Sequence, residues 1–221
     1  MRQIPLAIGF DPAHSFENFV PGANQPALEH LRCVTRQSAP VYLWGPAGSG
    51  KTHLLQALAN AWQAAGERVG WFTPAELPPW PHGDERSLIV LDDCDGFNAE
   101  QQHAAFALFV DAAMGGTAVA SAGCVPPVDL PLRADLRSRL GWGVVFALQP
   151  LSESDARAVL RREADQRGIF LSDDVMDYLL TRFARDLKHL MTLLTRLDEF
   201  ALSTQRAVTV PLVKQMLSER T

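Results

Sequence analysis

Three observations predict an α/β fold in which a parallel sheet flanked by helices is followed by a small all-α unit. Short apolar runs alternate with helical periodicity up to about residue 150. A glycine-rich turn joins the first of these runs to a helix, and beyond Pro150 only helical patterns remain. Strands alternating with helices argue for a parallel sheet covered on both faces, because each helical crossover has to lie against one side of it.

The first twenty-odd residues carry little periodicity and several breakers (Pro5, Gly9, Pro12, Pro21, Gly22), so they read as an extended arm. A helix is expected from Gln25 to Arg36, and the apolar run Pro40 to Trp44 reads as a buried strand. Leu54, Leu55, Leu58, Ala61 and Trp62 share one helical face between Lys51 and Ala65, with Gly66 as the stop. Arg68 to Thr73 is a strand, residues 74–86 with their four prolines are a loop, and Leu88 to Leu91 is a wholly apolar strand ending in two aspartates. Asn98 and Gln101 have capping-box spacing and open a helix to about Met114. Thr117 to Ser121 gives a strand, a helix ends near Leu140, and Val144 to Leu148 is the last strand. Ser152 with Asp155, then Ser172, are expected to cap the first two helices of the C-terminal unit. A third runs from Asp186 to Ser203, and Thr209 caps the last, with Pro211 in its first turn. The organisation expected is an arm over residues 1–10, a sheet domain over 11–150 and a helical domain over 151–221.

Composition narrows the function classes. Of 221 residues, 47% are apolar and 20% charged, which is globular and excludes a disordered chain. No apolar run approaches the ~18 residues of a membrane span. Ile4 to Phe10 is only weakly like a signal peptide, being interrupted by Pro5 and closed by Asp11, so a soluble, cytoplasmic protein is expected. Three cysteines without CxxC spacing argue against a disulfide framework or a zinc site, and a net charge of −5 argues against a broad nucleic-acid-binding surface. The six histidines are dispersed without an i, i+4 metal pair. Trp44, Trp62, Trp71, Phe106 and Phe109 fall on apolar faces and read as core.

Gly45-Pro46-Ala47-Gly48-Ser49-Gly50-Lys51-Thr52 meets G-x-x-x-x-G-K-[ST] at every fixed position, with an apolar strand before it and a helix after it. Glycines let backbone N–H groups turn inward onto phosphate oxygens, the lysine reaches the β- and γ-phosphates, and the threonine offers a hydroxyl to Mg²⁺. The following helix directs its positive end at the anion. The chain is therefore expected to bind a nucleotide, ADP or ATP, with Mg²⁺. Asp92, which ends the apolar run Leu88 to Leu91, would hold the Mg²⁺ hydration shell together with Thr52. Asp93 sits where many such ATPases place a glutamate that orients the attacking water, and it is one methylene shorter. Arg139 ends a helix just before a strand and Arg185 opens a helix of the C-terminal unit; each reads either as a solvated helix-end cation or as a group that stabilises phosphoryl charge.

Four segments carry a resemblance to one family. Ser15-Phe-Glu-Asn-Phe-Val-Pro-Gly22, the loop from Gly45 to Leu55, Leu88 to Asp93 and Ser138-Arg-Leu-Gly-Trp-Gly143 together resemble the DnaA-type AAA+ ATPases, most closely those that regulate the initiator by inactivating it. The resemblance implies that Phe16, Phe19 and Val20 line the adenine pocket, with His53 in the same nucleotide site. It implies that Arg139 is an arginine finger acting in trans and that Arg185 reaches the phosphates from the lid. The initiator carries a helix-turn-helix domain after its lid, whereas this sequence ends at Thr221. Its sensor strand ends in a Thr-Ser-Asp-like pattern, whereas Ala118 to Gly123 offers only Ser121 as a polar sensor. That departure speaks against self-sufficient hydrolysis.

The arm resembles the peptide by which these regulators bind the DNA polymerase III β sliding clamp. Gln3 would hydrogen-bond at a pocket rim and Leu6 and Ile8 would be apolar anchors, with Ile4 and Pro5 between them. The expected function is a regulator that binds adenine nucleotide, by resemblance ADP. It would dock on the DNA-loaded clamp, touching DNA only through it, and present Arg139 to ATP on the DnaA initiator. The initiator would then hydrolyse its ATP, and re-initiation would be prevented. A helicase-loader or clamp-loader-like ATPase that uses its own Asp93 is the alternative. A DNA-binding initiator fragment fits least, and self-association stays open.

Overall fold

The structure, a computed structural model, describes residues 14–81, 86–183 and 187–218. Its sheet strands are β1 (Val41–Trp44), β2 (Val69–Phe72), β3 (Leu88–Leu91), β4 (Ala118–Gly123) and β5 (Val144–Ala147). The helices between them are α1 (Gln25–Arg32), α2 (Lys51–Ala64), α3 (Ala99–Gly115) and α4 (Ala134–Leu140). All neighbouring strands pair in parallel, in the order β2-β3-β4-β1-β5. Val41 is opposite Ala120 on one side and Val144 on the other.

The wholly apolar strand sequences follow from burial on both faces. Val41, Leu43, Leu88 and Val90 pack with Leu28 and Leu31 of α1 and Leu54, Leu55 and Leu58 of α2. Tyr42, Ile89, Leu91 and Val119 face the other way, onto Leu108 and Phe109 of α3 and Leu136 and Leu140 of α4. Burying one such leucine contributes about 1.5–3 kcal/mol, so the two layers hold the sheet without help from a polar face. Of the aromatics expected in the core, Phe109 is buried, whereas Trp44, Trp62, Trp71 and Phe106 are partly buried at its margins.

Local chemistry sets the element ends. The Asn98–Gln101 capping box forms as expected, with both reciprocal bonds at 2.9 Å. The buried Gln101 amide also donates to the carbonyls of Pro74 and Glu76, which anchors the proline-rich loop after β2. α1 ends at Arg32, one turn before the expected Arg36. The Ser38 hydroxyl accepts from the Thr35 N–H at 2.9 Å, while the Ser38 N–H donates to the Thr35 carbonyl, and this turn takes the backbone away from the helix. Residues 14–24, expected to be extended, instead hold a turn stapled by Ser15 and Asn18 and a 3₁₀ turn at Gly22–Asn24.

Beyond the sheet come α5 (Glu153–Gln166), α6 (Asp173–Arg182), α7 (Leu187–Thr204) and α8 (Val210–Ser218), packed around Leu160, Met176, Leu194 and Val213. Ser152 caps α5 by accepting from the Asp155 N–H at 3.1 Å. Ser172 has extended backbone before α6 but makes no side-chain cap bond, in contrast to the expectation. The Thr209 hydroxyl lies 3.4 Å from the Leu212 N–H that it caps. Among the described residues no helix is long and apolar enough to cross a membrane.

Candidate nucleotide-binding site

β1 lies between β4 and β5, while the chain leaves it for β2 at the far edge; its carboxyl end is therefore a crevice where crossovers diverge. The Gly45–Gly50 turn fills that crevice and runs directly into α2. Gly48 and Gly50 have φ of +76° and +95°, a region that L side chains rarely adopt. A β-carbon on Gly50 would also stand 2.7 Å from the ring of Phe19. Only glycine permits that aromatic ring to lie against the loop.

Lys51 is 6% exposed, and its Nζ donates to the carbonyls of Gly45 at 2.8 Å and Pro46 at 3.2 Å. The ammonium is held inside the loop by neutral acceptors and makes no ion pair among the described residues. The Ser49 hydroxyl is buried and has no hydrogen-bond partner among the described residues. A buried hydroxyl and a buried ammonium at one inward-turned loop are the groups a phosphate would satisfy.

Asp92 is 3% exposed, and burial pushes its carboxyl above the ordinary range. A hydrogen bond from Thr52 and the nearby Lys51 charge work in the opposite direction. The structure therefore brings together Thr52 and Asp92, the two expected Mg²⁺ residues. Among the described residues no cluster of three His, Cys, Asp or Glu side chains could hold a metal by itself. A hydroxyl plus one carboxylate is instead the sparse donor set that Mg²⁺ uses when waters and phosphates complete its shell. Asp93 is exposed and left-handed, with φ of +51°, a strained backbone for a residue with a β-carbon.

The hydroxyl of Ser121, the residue expected as a polar sensor, is bonded within the sheet. The residue is 1% exposed, and its hydroxyl donates to the Val41 carbonyl at 3.1 Å, so it bridges β4 to β1 in the core. The polar end of β4 is formed by two residues that the sequence reading passed over. Asp95 Oδ1 accepts from the Cys124 N–H at 3.0 Å. Burial and Asp95 push the Cys124 thiol up, with Lys51 near enough to oppose them. The signal was present: Cys124 directly follows the small-residue strand, at the edge where the phosphate loop opens.

Of the residues expected at the adenine, Phe19 touches the loop and lies 5.3 Å, centroid to centroid, from the His53 ring. Phe16 turns into the core, with Arg32 over its face, and Val20 is partly exposed. His53 Nε2 lies 3.1 Å from the Ser15 carbonyl and 3.0 Å from Asn18 Oδ1. Both are acceptors, so Nε2 carries the hydrogen and the ring ties residues 15–18 to α2. Burial holds its pKa below the ordinary imidazole value.

Arg139, in the last turn of α4, has no ion pair among the described residues. Arg133 is engaged by Asp135 at 2.7 Å and by His103 Nδ1 at 3.0 Å. The segment after Arg139 joins the sheet at Val144, opposite Val41, the first residue of β1. The phosphate loop follows its last residue, Trp44, one strand length away, on the order of 13 Å. Arg185 and the arm residues Gln3, Ile4, Pro5, Leu6 and Ile8 lie outside the described residues.

A five-stranded parallel sheet with a glycine-rich phosphate loop at its central crevice, an aspartate ending a nearby strand and a helical lid defines an AAA+ nucleotide-binding fold. Comparison with known proteins agrees. Residues 10–76 match the bacterial DnaA ATPase domain family, and residues 153–217 match the family described as Hda, lid domain. Domain III of the Thermotoga maritima replication initiation protein DnaA superposes with a TM-score of 0.79 at 22% identity, over 95% of this chain and 97% of that one. AMPPCP-bound DnaA from Aquifex aeolicus gives 0.69 at 21% identity, over 84% and 65%. The Thermotoga maritima RuvB Holliday junction branch migration motor gives 0.64 at 15%, over 88% and 68%. The chain is an AAA+ protein of the Hda/DnaA type.

Proposed function

We propose that this chain is a regulatory AAA+ protein that binds adenine nucleotide, ADP in its resting form, and stimulates ATP hydrolysis by the DnaA initiator. The observation that carries this reading is the placement of Arg139. It has no counter-ion among the described residues, and its segment joins the sheet at the end opposite the chain's own phosphate loop. A guanidinium that serves its own nucleotide would sit at the loop; one that serves a neighbour's has to lie outside it. The commitment of Ser121 to the Val41 carbonyl supports the same reading, because it removes a polar group from the chain's own site.

In this reading residues 11–150 form the nucleotide-binding domain and 151–221 the lid. Residues 1–10 are the arm that docks on the DNA polymerase III β clamp. The loop amides and Lys51 hold the phosphates, Phe19 faces the base side of the site, and Arg185 approaches from the lid. Thr52 and Asp92 would hold Mg²⁺, which when bound would neutralise phosphate charge. On the initiator, the planar Arg139 guanidinium bridges oxygens that gain charge in the transition state, and so lowers the barrier more than it stabilises the ground state.

A second reading, hydrolysis of its own ATP through Asp93, is favoured by the Thr52–Asp92 contact. One assay separates the two: ATP turnover by the protein alone, then initiator-bound ATP turnover with clamp, DNA and the protein present. Stimulation in the second arm that is lost in Arg139→Ala supports the regulator. Turnover in the first arm that is lost in Asp93→Ala, without stimulation in the second, overturns it.

A further inference from the structure

Trp142 is 69% exposed, and the Arg139 guanidinium carbon lies over its ring, 6.0 Å from the centroid. The C-terminal turns of α4 bring the two together, for the Trp142 N–H donates to the Arg139 carbonyl at 3.2 Å. Two further open apolar side chains belong to the same surroundings. Val128, 74% exposed, sits in the turn whose Pro127 would touch a β-carbon on Gly141 at 3.2 Å. Val145, 39% exposed, lies on the edge strand β5 that Trp142 leads into.

An indole face holds a guanidinium by attraction between the cation and the ring quadrupole, without neutralising it. A carboxylate in the same place would hold it as well but would neutralise it. From this arrangement we infer that Trp142 is the positioning residue for Arg139 and the apolar anchor on which the nucleotide-bearing face of a second P-loop module docks. The inference rests on the trans-acting reading of Arg139. The occupant follows from charge: the un-neutralised Arg139 guanidinium, in the same last turn of α4 as Arg137 and beside exposed aromatic and aliphatic groups, complements a phosphate chain at the rim of a protein surface. A nucleic-acid backbone would meet Asp129 and Asp135 on the flanking turns, and Arg133 is already engaged by Asp135. Tryptophan and arginine are also the residue types that dominate binding energy where protein surfaces meet.

The experiment titrates the full protein into initiator-bound ATP turnover, with clamp and DNA, for wild type, Trp142→Ala and Trp142→Phe. Trp142→Ala should lower the maximal stimulated rate by at least about tenfold, as a misplaced catalytic group does. It should also raise the half-saturating concentration, while affinity for the protein's own nucleotide stays at the wild-type value. Trp142→Phe, which keeps an aromatic face, should restore most of the rate. In the protein alone, the Trp142 emission, taken as wild type minus Trp142→Phe, should shift when Arg139 becomes alanine. Full stimulation by Trp142→Ala, or phenylalanine no better than alanine, overturns the inference and leaves the regulator reading standing. Absence of stimulation by wild type overturns that reading, and the inference with it.

Discussion

The ring of Phe19 occupies the space that a β-carbon on Gly50 would need, at 2.7 Å from Cε2. This pair joins the two halves of the site. One residue comes from the segment before the first helix and the other from the phosphate loop, 31 positions later in the chain. The segment before the first helix and the phosphate loop are therefore packed directly against each other.

Gly50→Ala should damage both halves together. The new side chain enters the left-handed region and meets an aromatic ring, so a destabilisation of about 2 kcal/mol or more is expected, with a loss of nucleotide affinity. Chemical denaturation and calorimetry with ADP measure the two effects. A stable variant with wild-type affinity would show that Phe19 moves aside freely.

Lys51→Ala should abolish measurable ADP and ATP binding while leaving the nucleotide-free fold close to wild-type stability. The ammonium is buried against two carbonyls and makes no ion pair among the described residues, so its removal in the free protein relieves as much desolvation as it loses in hydrogen bonding. Undiminished affinity in calorimetry would place the nucleotide elsewhere.

Ser121→Ala should cost about 1 kcal/mol in stability and nothing in nucleotide affinity, because the donor serves Val41 and not a ligand. Asp95→Ala should do the reverse at the mouth of the site and alter nucleotide affinity through the freed Cys124 turn. If Ser121→Ala weakens binding tenfold, the sensor role has to be returned to it.

Gln3→Ala combined with Leu6→Ala should abolish co-elution with the clamp and leave the melting temperature unchanged. Retention of clamp binding would assign the contact to another surface.

The His53 latch predicts a pH dependence with a definite sign. Its pKa is held below the ordinary 6.5 in the folded protein, so the unfolded chain binds more protons. Stability should then fall as pH drops through about 6.5 toward the folded value. Asp92, raised by burial, acts with the opposite sign, as its contribution is lost when pH rises through its folded pKa. His53→Gln keeps a donor for Ser15 and Asn18 and cannot titrate. The wild-type slope between pH 7.5 and 5.5, read from urea midpoints, should exceed that of this variant; equal slopes would remove His53 as the source.

What the sequence determined alone was whatever is written in neighbouring residues. Leu88 to Leu91 announced a strand buried on both faces by having no polar position, and the structure places those bounds unchanged. The Asn98–Gln101 cap, the Ser152 cap and the phosphate loop are local chemistry, in which side chain and backbone partner lie within a few residues. Contacts between distant segments were decided only in three dimensions. Ser121 reads as a free hydroxyl until the register Leu43↔Ala122 sets β4 against β1 and brings the Val41 carbonyl to it. Asp95 and Cys124 share no motif and meet because β3 and β4 are neighbours that end at the same edge. Likewise, Arg133 at the start of a short helix and Arg137 and Arg139 within it are equal cations until Asp135 and His103 engage the first and the Trp142 ring lies under the last. Local patterns set what each segment becomes; which hydroxyl is committed and which guanidinium is free depends on strand order and register, which no stretch of sequence contains.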